Sequence, residues 1–141
     1  MPSTSPIVLV VDPQPASQAM FGHALLAMGF QSVLAESGED ACARIDDLRP
    51  DVVVTESTLP GMSGVEFVMR LRRQAGGSDI GTILLADPLD SLQWQRARAA
   101  GCDGIIVKPC RLDVLASHIR DLLRARQMSL AGPGVHDGSR C

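Results

Sequence analysis

Five short runs of β-branched residues alternate with longer stretches of helical period, and this alternation restricts the fold more than any other feature of the chain. Strands separated by helices cannot pair as hairpins, so they lie parallel in one sheet with helices over its faces. The first run, Ile7-Val-Leu-Val-Val11, is apolar at every position, as a strand buried on both faces requires, and it ends at Asp12. Ala16 to Met28 has helical spacing, with Met20, Ala24, Leu25, Ala27 and Met28 expected on one side and Gly29 as the stop. Gln31 to Ala35 reads as a shorter second strand. Glu39 to Leu48 reads as a helix with an Ala41, Ile45 and Leu48 stripe, closed before Pro50.

The third strand, Val52 to Thr55, leads into Glu56 and a turn marked by Pro60, Gly61 and Gly64. A helix is expected from Val65 to about Arg73, then a polar Gly-rich connection over 74–79. Thr82 to Ala86 is the fourth strand, Leu89 to Ala100 a helix closed by Gly101, and Ile105 to Val107 a short fifth strand. A last helix runs from about Leu112 to Arg126 with Leu115, Ile119, Leu122 and Leu123 inward. Residues 1–127 are expected to form one domain, and 128–141, rich in Gly, Pro, Ser and His, a mobile tail or linker.

Composition narrows the function classes. At 141 residues and 45% hydrophobic content the chain suffices for one globular core and is not a disordered one. A net charge of −3 implies no broad basic surface, so direct nucleic-acid binding is not expected. Apolar runs fall far short of the roughly 18–20 residues of a membrane span, and the amino terminus lacks the basic and cleavage features of a secretory signal. These readings make the expected compartment the cytosol. Cys42, Cys102, Cys110 and Cys141 contain no C-x-x-C pair, and His23, His118 and His136 are scattered, so neither a zinc site nor a redox motif is indicated. With no Tyr, three Phe and the single Trp94, little is available to stack on a nucleobase or flavin.

In an open parallel sheet, ligands bind outside the carboxyl ends of the strands. The residues expected there are Asp12, Glu56, Ala86 and Lys108.

The segments Val-Leu-Val-Val-Asp12, Pro50-Asp-Val-Val-Val-Thr-Glu56, Leu59-Pro-Gly-Met-Ser-Gly64 and Ala100-Gly-Cys-Asp-Gly-Ile-Ile-Val-Lys-Pro109 follow one another without a large insertion or deletion. Together they resemble the receiver domain of bacterial two-component response regulators, across residues 7 to about 126. The resemblance implies a doubly wound α/β fold, flavodoxin-like, with a five-stranded parallel sheet in the order 2-1-3-4-5. It also implies a phosphorelay role: an aspartate ending strand 3 takes a phosphoryl group from a histidine kinase, and two acidic residues after strand 1 help hold Mg²⁺. The backbone carbonyl of Thr58 would complete that metal site. A Ser or Thr after strand 4 and a Lys after strand 5 grip the phosphoryl oxygens, and an aromatic on strand 5 reports the change.

This chain departs from the pattern at four of those positions. Glu56 stands at the phosphoacceptor position and carries one methylene more than aspartate, a displacement that in-line attack tolerates poorly. Pro13 replaces the second acidic residue, which weakens a Mg²⁺ site with few ligands to lose. Ala86 offers no hydroxyl and Ile105 no aromatic ring. Asp12 and Lys108 remain, and Lys108 is expected to pair with Glu56 or Asp12. The resemblance implies a cis peptide at Pro109.

The leading expectation is a non-enzymatic, atypical receiver that signals through protein contacts independently of phosphorylation. No catalytic residue and no cofactor are expected; Mg²⁺ at Asp12, Glu56 and Thr58 is the weak alternative. Two other functions stay open, a Mg²⁺-dependent switch with a Glu acceptor and a flavodoxin-like redox carrier. The second is disfavoured because Asp12-Pro-Gln-Pro-Ala16 lacks the glycines and hydroxyls of a phosphate loop. Expected partners are a histidine kinase or a downstream effector, or a second copy, docking at helix 4, strand 5 and helix 5. Trp94 is either an anchor of that surface or part of the core, and the arginines of that region either mark a docking surface for an acidic partner or form an ordinary solvated helix face. Output is expected to pass through a partner, since only residues 127–141 follow the last helix, unless the chain is a fragment of a longer protein.

Overall fold

A computed structural model describes residues 5–74, 76–88 and 91–131. Five parallel strands, β1 (Ile7–Val11), β2 (Gln31–Ala35), β3 (Val52–Glu56), β6 (Gly81–Ala86) and β7 (Gly104–Val107), form one sheet in the order β2-β1-β3-β6-β7. Counting only these five, the order is the expected 2-1-3-4-5. Two short strands, β4 (Thr58–Leu59) and β5 (Met62–Ser63), form an antiparallel hairpin within the turn marked by Pro60, Gly61 and Gly64; Gly61, at φ 76°, makes its turn.

The helices are α1 (Pro15–Ala27), α2 (Gly38–Leu48), α3 (Gly64–Arg73), α4 (Ser91–Ala100) and α5 (Leu112–Ala131). Alternate residues of β1 face opposite sides of the sheet. Val8 and Val10 pack with Phe21 and Leu25 of α1 and Leu115 and Ile119 of α5, whereas Leu9 and Val11 pack with Ile45 of α2 and Phe67 and Leu71 of α3. Both faces of the central strands are therefore dry, which is why their sequences are continuously apolar.

Local signals set the helix ends. Ser37 Oγ accepts from the Asp40 amide to start α2, and its last turn closes on Arg49, at φ 50°, because Pro50 bars a further α residue. Ser63 and Glu66 form a reciprocal capping box at α3. At the other end of α3, the Arg72 guanidinium donates to the carbonyls of Gly77, Ile80 and Gly101, to Thr82 Oγ1 and to Asp103 Oδ2. This one side chain ties α3 to the start of β6 and to the turn before β7.

Three expectations need correction. On α1 the inward residues are Phe21 and Leu25, while Met20 and Ala27 are exposed. The helix is apolar almost all round, so periodicity could not choose its buried side. α5 continues to Ala131, past the expected end at Arg126 and into the expected tail, because Gln127 to Ala131 contains no helix breaker before Gly132. The rest of that tail lies outside the described residues. A short 3-10 turn, Gly77–Asp79, interrupts the connection after α3. No described helix is long and apolar enough to cross a membrane.

Candidate functional site

The carboxyl ends of β1, β3, β6 and β7 converge because the strands are parallel and in matched register, with Val11 beside Thr55, Glu56 beside Leu85 and Ala86 beside Val107. Glu56 ends β3. Lys108 follows β7, placed by its backbone N–H donating to the Ala86 carbonyl at 2.9 Å.

Lys108 Nζ lies 2.7 Å from Glu56 Oε1 and 3.5 Å from Asp87 Oδ1. The Glu56 side chain is largely covered, at 17% exposure, and that of Asp87 is open, at 58%. Desolvation by itself would lower the Lys108 pKa, but the hydrogen bond and charge of Glu56, with those of Asp87, outweigh it and hold the ammonium above its ordinary value. The peptide bond between Lys108 and Pro109 is cis.

Asp12 is buried, at 1% exposure. Its Oδ1 accepts from the Gln14 amide at 2.9 Å, and its carbonyl accepts from Gln18 Nε2 at 2.6 Å. Asp12 Oδ2 has no hydrogen-bond partner. The expected alternative of Asp12 as the lysine's partner is thus corrected: the second carboxylate beside Lys108 belongs to Asp87, one residue past the fourth main strand. The strand-end pattern points to Ala86 and not to its neighbour Asp87, whose carboxylate gave no signal of its own in the sequence. Ser57 was also missed; it is buried, with an unpartnered Oγ, and its carbonyl accepts from the Gly64 amide.

Gly64 is required by this geometry. A Cβ there would collide with the Glu56 carbonyl and press on Leu84, so only glycine lets the start of α3 close against the end of β3.

The donor set falls short of a magnesium site. Asp12 Oδ2 has no hydrogen-bond partner, but Glu56 is paired with an ammonium, Pro13 has no side-chain oxygen, and Thr58 offers only neutral oxygens, its carbonyl and its hydroxyl. Among the described residues no group of three or more His, Cys, Asp or Glu could hold a metal ion.

Ala86 and Ile105 meet in one apolar cluster. Ala86, Val65, Leu84 and Ala97 are buried there, with Ile105 and Trp94 packed against them. Trp94 is half-buried and its indole N–H has no partner, so much of the ring serves the packing between α4 and the sheet. Cys110 borders the site, and burial, helped by the Glu56 charge, pushes its thiol up, away from a reactive thiolate. Burial raises Cys42 and Cys102 likewise. Cys141 and His136 lie outside the described residues.

Comparison with known proteins bears on the same residues. The family model of the response regulator receiver domain matches residues 8–120. The DNA-binding response regulator MtrA of Mycolicibacterium smegmatis is 28% identical over 120 residues, covering 85% of this chain and 51% of that protein. The transcriptional regulatory protein TrcR of Mycobacterium tuberculosis is 35% identical over 123 residues, 85% of this chain and 46% of that protein. The chain thus spans about half the length of these relatives. Among solved structures, the chemotaxis response regulator CheY4 of Vibrio cholerae superposes with a TM-score of 0.78 at 28% identity, over 84% of this chain and 99% of that one.

Proposed function

We propose, from the premise that this chain belongs to the response regulator receiver domain family, that it is a two-component signalling receiver whose output does not depend on phosphorylation. The observation that carries this reading is the 2.7 Å contact between Lys108 Nζ and Glu56 Oε1. The carboxylate at the acceptor position is already neutralised by the lysine that would otherwise grip a phosphoryl group. Attack on a phosphodonor would require Glu56 to leave that ammonium, and the longer side chain would then approach from a displaced position. Ala86 gives no hydroxyl to the transferred group, and Pro13 removes a carboxylate from the metal site.

In this reading the chain acts in the cytoplasm through protein contacts, with a histidine kinase or an effector as partner and without catalysis of its own. The surface of α4, β7 and the start of α5 is the docking face. Arg98 of α4 and Arg111 before α5 are exposed on these elements, where positive charge would suit an acidic partner; Arg96 lines the groove between α3 and α4 instead.

Intact mass after incubation with Mg²⁺ and a small-molecule phosphodonor tests the reading, with a known active receiver as control. The wild type is expected to stay unmodified. A phosphoryl mass that disappears on Glu56→Gln would make the protein a switch with a glutamate acceptor instead.

A further inference from the structure

The chain carries a net charge of −3, yet α3 and α4 together hold five arginines and one carboxylate, Glu66. The two helices lie side by side with their C-terminal ends adjacent, since Arg72 of α3 donates to the Gly101 carbonyl just past α4. Between them runs a groove of about 670 Å³, lined by Val65 and Met69 of α3 and by Leu92, Ala99 and Ala100 of α4. The three- and four-residue spacings put these side chains on one stripe of each helix. Met69 is 41% and Leu92 54% exposed, so both walls present apolar surface to water. Val65 is buried and belongs to the same cluster as Ala86, which connects the groove to the end of β6.

The edges of the groove are basic. Arg96 lines it from α4, and Arg73 stands one turn past Met69 on the stripe of α3. Both are exposed, and among the described residues neither is in an ion pair. Glu66 is held at the other end by the capping box, its Oε1 accepting from the Ser63 amide at 2.9 Å. A surface laid over the groove would strip water from two guanidinium groups, so it has to bring carboxylates as well as apolar side chains. An amphipathic helix meets both demands, with an apolar ridge set between two helices and charges along its flanks. Each wall is a helix of 10 residues, about 15 Å long, which accommodates roughly three turns of such a partner.

We propose that the groove between α3 and α4 docks an acidic amphipathic helix of a protein partner, with its apolar side chains against Met69 and Leu92 and its carboxylates on Arg73 and Arg96. This surface is distinct from the face of α4, β7 and α5. Arg96 and Arg98 are two residues apart and so point to nearly opposite sides of α4.

Three synthetic peptides of about 18 residues, long enough to hold helix, test the proposal. They share one leucine stripe and differ in the charge of their polar positions, which are Glu, Gln or Lys interspersed with Ala. Each is titrated into the full chain, with the emission of Trp94, the chain's single tryptophan, and backbone amide NMR shifts as readouts. The Glu peptide is expected to bind at least tenfold more tightly than the Gln peptide, with shifts centred on α3 and α4. Arg73→Glu with Arg96→Glu should reverse the order in favour of the Lys peptide, and Leu92→Gln, which keeps every charge, should weaken the Glu peptide at least threefold. All three positions are exposed, so far-UV circular dichroism and the thermal midpoint should be unchanged. Absence of Glu-peptide binding up to about 1 mM overturns the proposal, as do shifts centred on β7 and α5 or binding indifferent to Leu92→Gln. A single-stranded DNA oligonucleotide that binds more tightly than the Glu peptide and is lost on the double charge reversal would assign the arginines to phosphates and overturn it equally. Self-association of the chain that the same reversal abolishes would assign the groove to a second copy instead.

Discussion

Lys108 Nζ and Glu56 Oε1 are 2.7 Å apart, although the two residues are separated by 52 positions in sequence. The contact bridges the ends of β3 and β7 across the intervening β6, and Asp87, just past the end of β6, lies on its open side. One cation therefore balances two carboxylates contributed by neighbouring parts of the site.

Breaking that pair from either side should destabilise the fold. Glu56→Gln and Lys108→Met are each expected to cost about 1–2 kcal/mol, between the values of exposed and buried pairs, because Glu56 is covered and Lys108 only partly so. Asp87→Asn, at an exposed carboxylate, should cost less than about 0.5 kcal/mol. Urea denaturation of the single variants and of the Glu56→Gln/Lys108→Met pair would give the coupling; additive losses would show that the contact is not formed in solution.

Lysine 108 is the chain's only lysine, which makes its ionisation directly readable. Its pKa in the folded state is raised above the ordinary 10.5. The linked stability is therefore fully present below about pH 10.5 and lost as pH climbs through the raised value. The stability gap between wild type and Lys108→Met should stay level from about pH 7 to 9 and shrink in the alkaline range. Amine-selective acylation of Lys108 should likewise be slower in the wild type than in Glu56→Gln, read by peptide mass; equal rates would contradict the raised pKa.

Arg72 has a structural role that the site depends on indirectly. Its guanidinium donates to five acceptors spread over the 3-10 turn, β6 and the turn before β7. Arg72→Ala should cost about 2–4 kcal/mol, since it leaves several carbonyls and Asp103 without their donor. Arg72→Lys should recover less than half of that loss, because an ammonium cannot reproduce the planar fork. Recovery to wild-type denaturation midpoints by Lys would show that charge, not geometry, holds this junction.

Magnesium affinity should respond to the two altered acidic positions together. Asp12 Oδ2 is unpartnered and buried, so one ligand position is in place. Pro13→Asp with Glu56→Asp should raise Mg²⁺ affinity at least tenfold over the wild type in calorimetric titration, through the added carboxylate and the shorter reach away from Lys108. No gain from the double variant would mean that the loop after β1 cannot present a second carboxylate.

Much of the fold was legible because burial on both faces leaves its mark residue by residue. Val8 to Val11 had to be a strand buried on both faces, and the turn marked by Pro60, Gly61 and Gly64 announced α3, which starts at Gly64. α1 was legible as a helix but not in orientation, since Met20 and Phe21 are equally apolar and only one of them can face β1. Its actual rotation, with Phe21 inward, leaves the Met20 and Leu26 side in water.

By itself the sequence determined the order of the five main strands and five helices, the parallel sheet and which side chains end each main strand, because helical and strand periods and the Gly, Pro and Ser punctuation are local properties. The family resemblance, carried by motifs that are local too, implied that Glu56, Pro13, Ala86 and Ile105 stand where other receivers carry other chemistry. Only the tertiary structure decided that Lys108 shares its charge between Glu56 and Asp87 while Asp12 Oδ2 stays unpartnered. It likewise decided that Trp94 packs beside Ala86 and Ile105. Those outcomes depend on distances between strand ends and on how each helix rotates against the sheet, and neither quantity is encoded in the spacing of residues along one element.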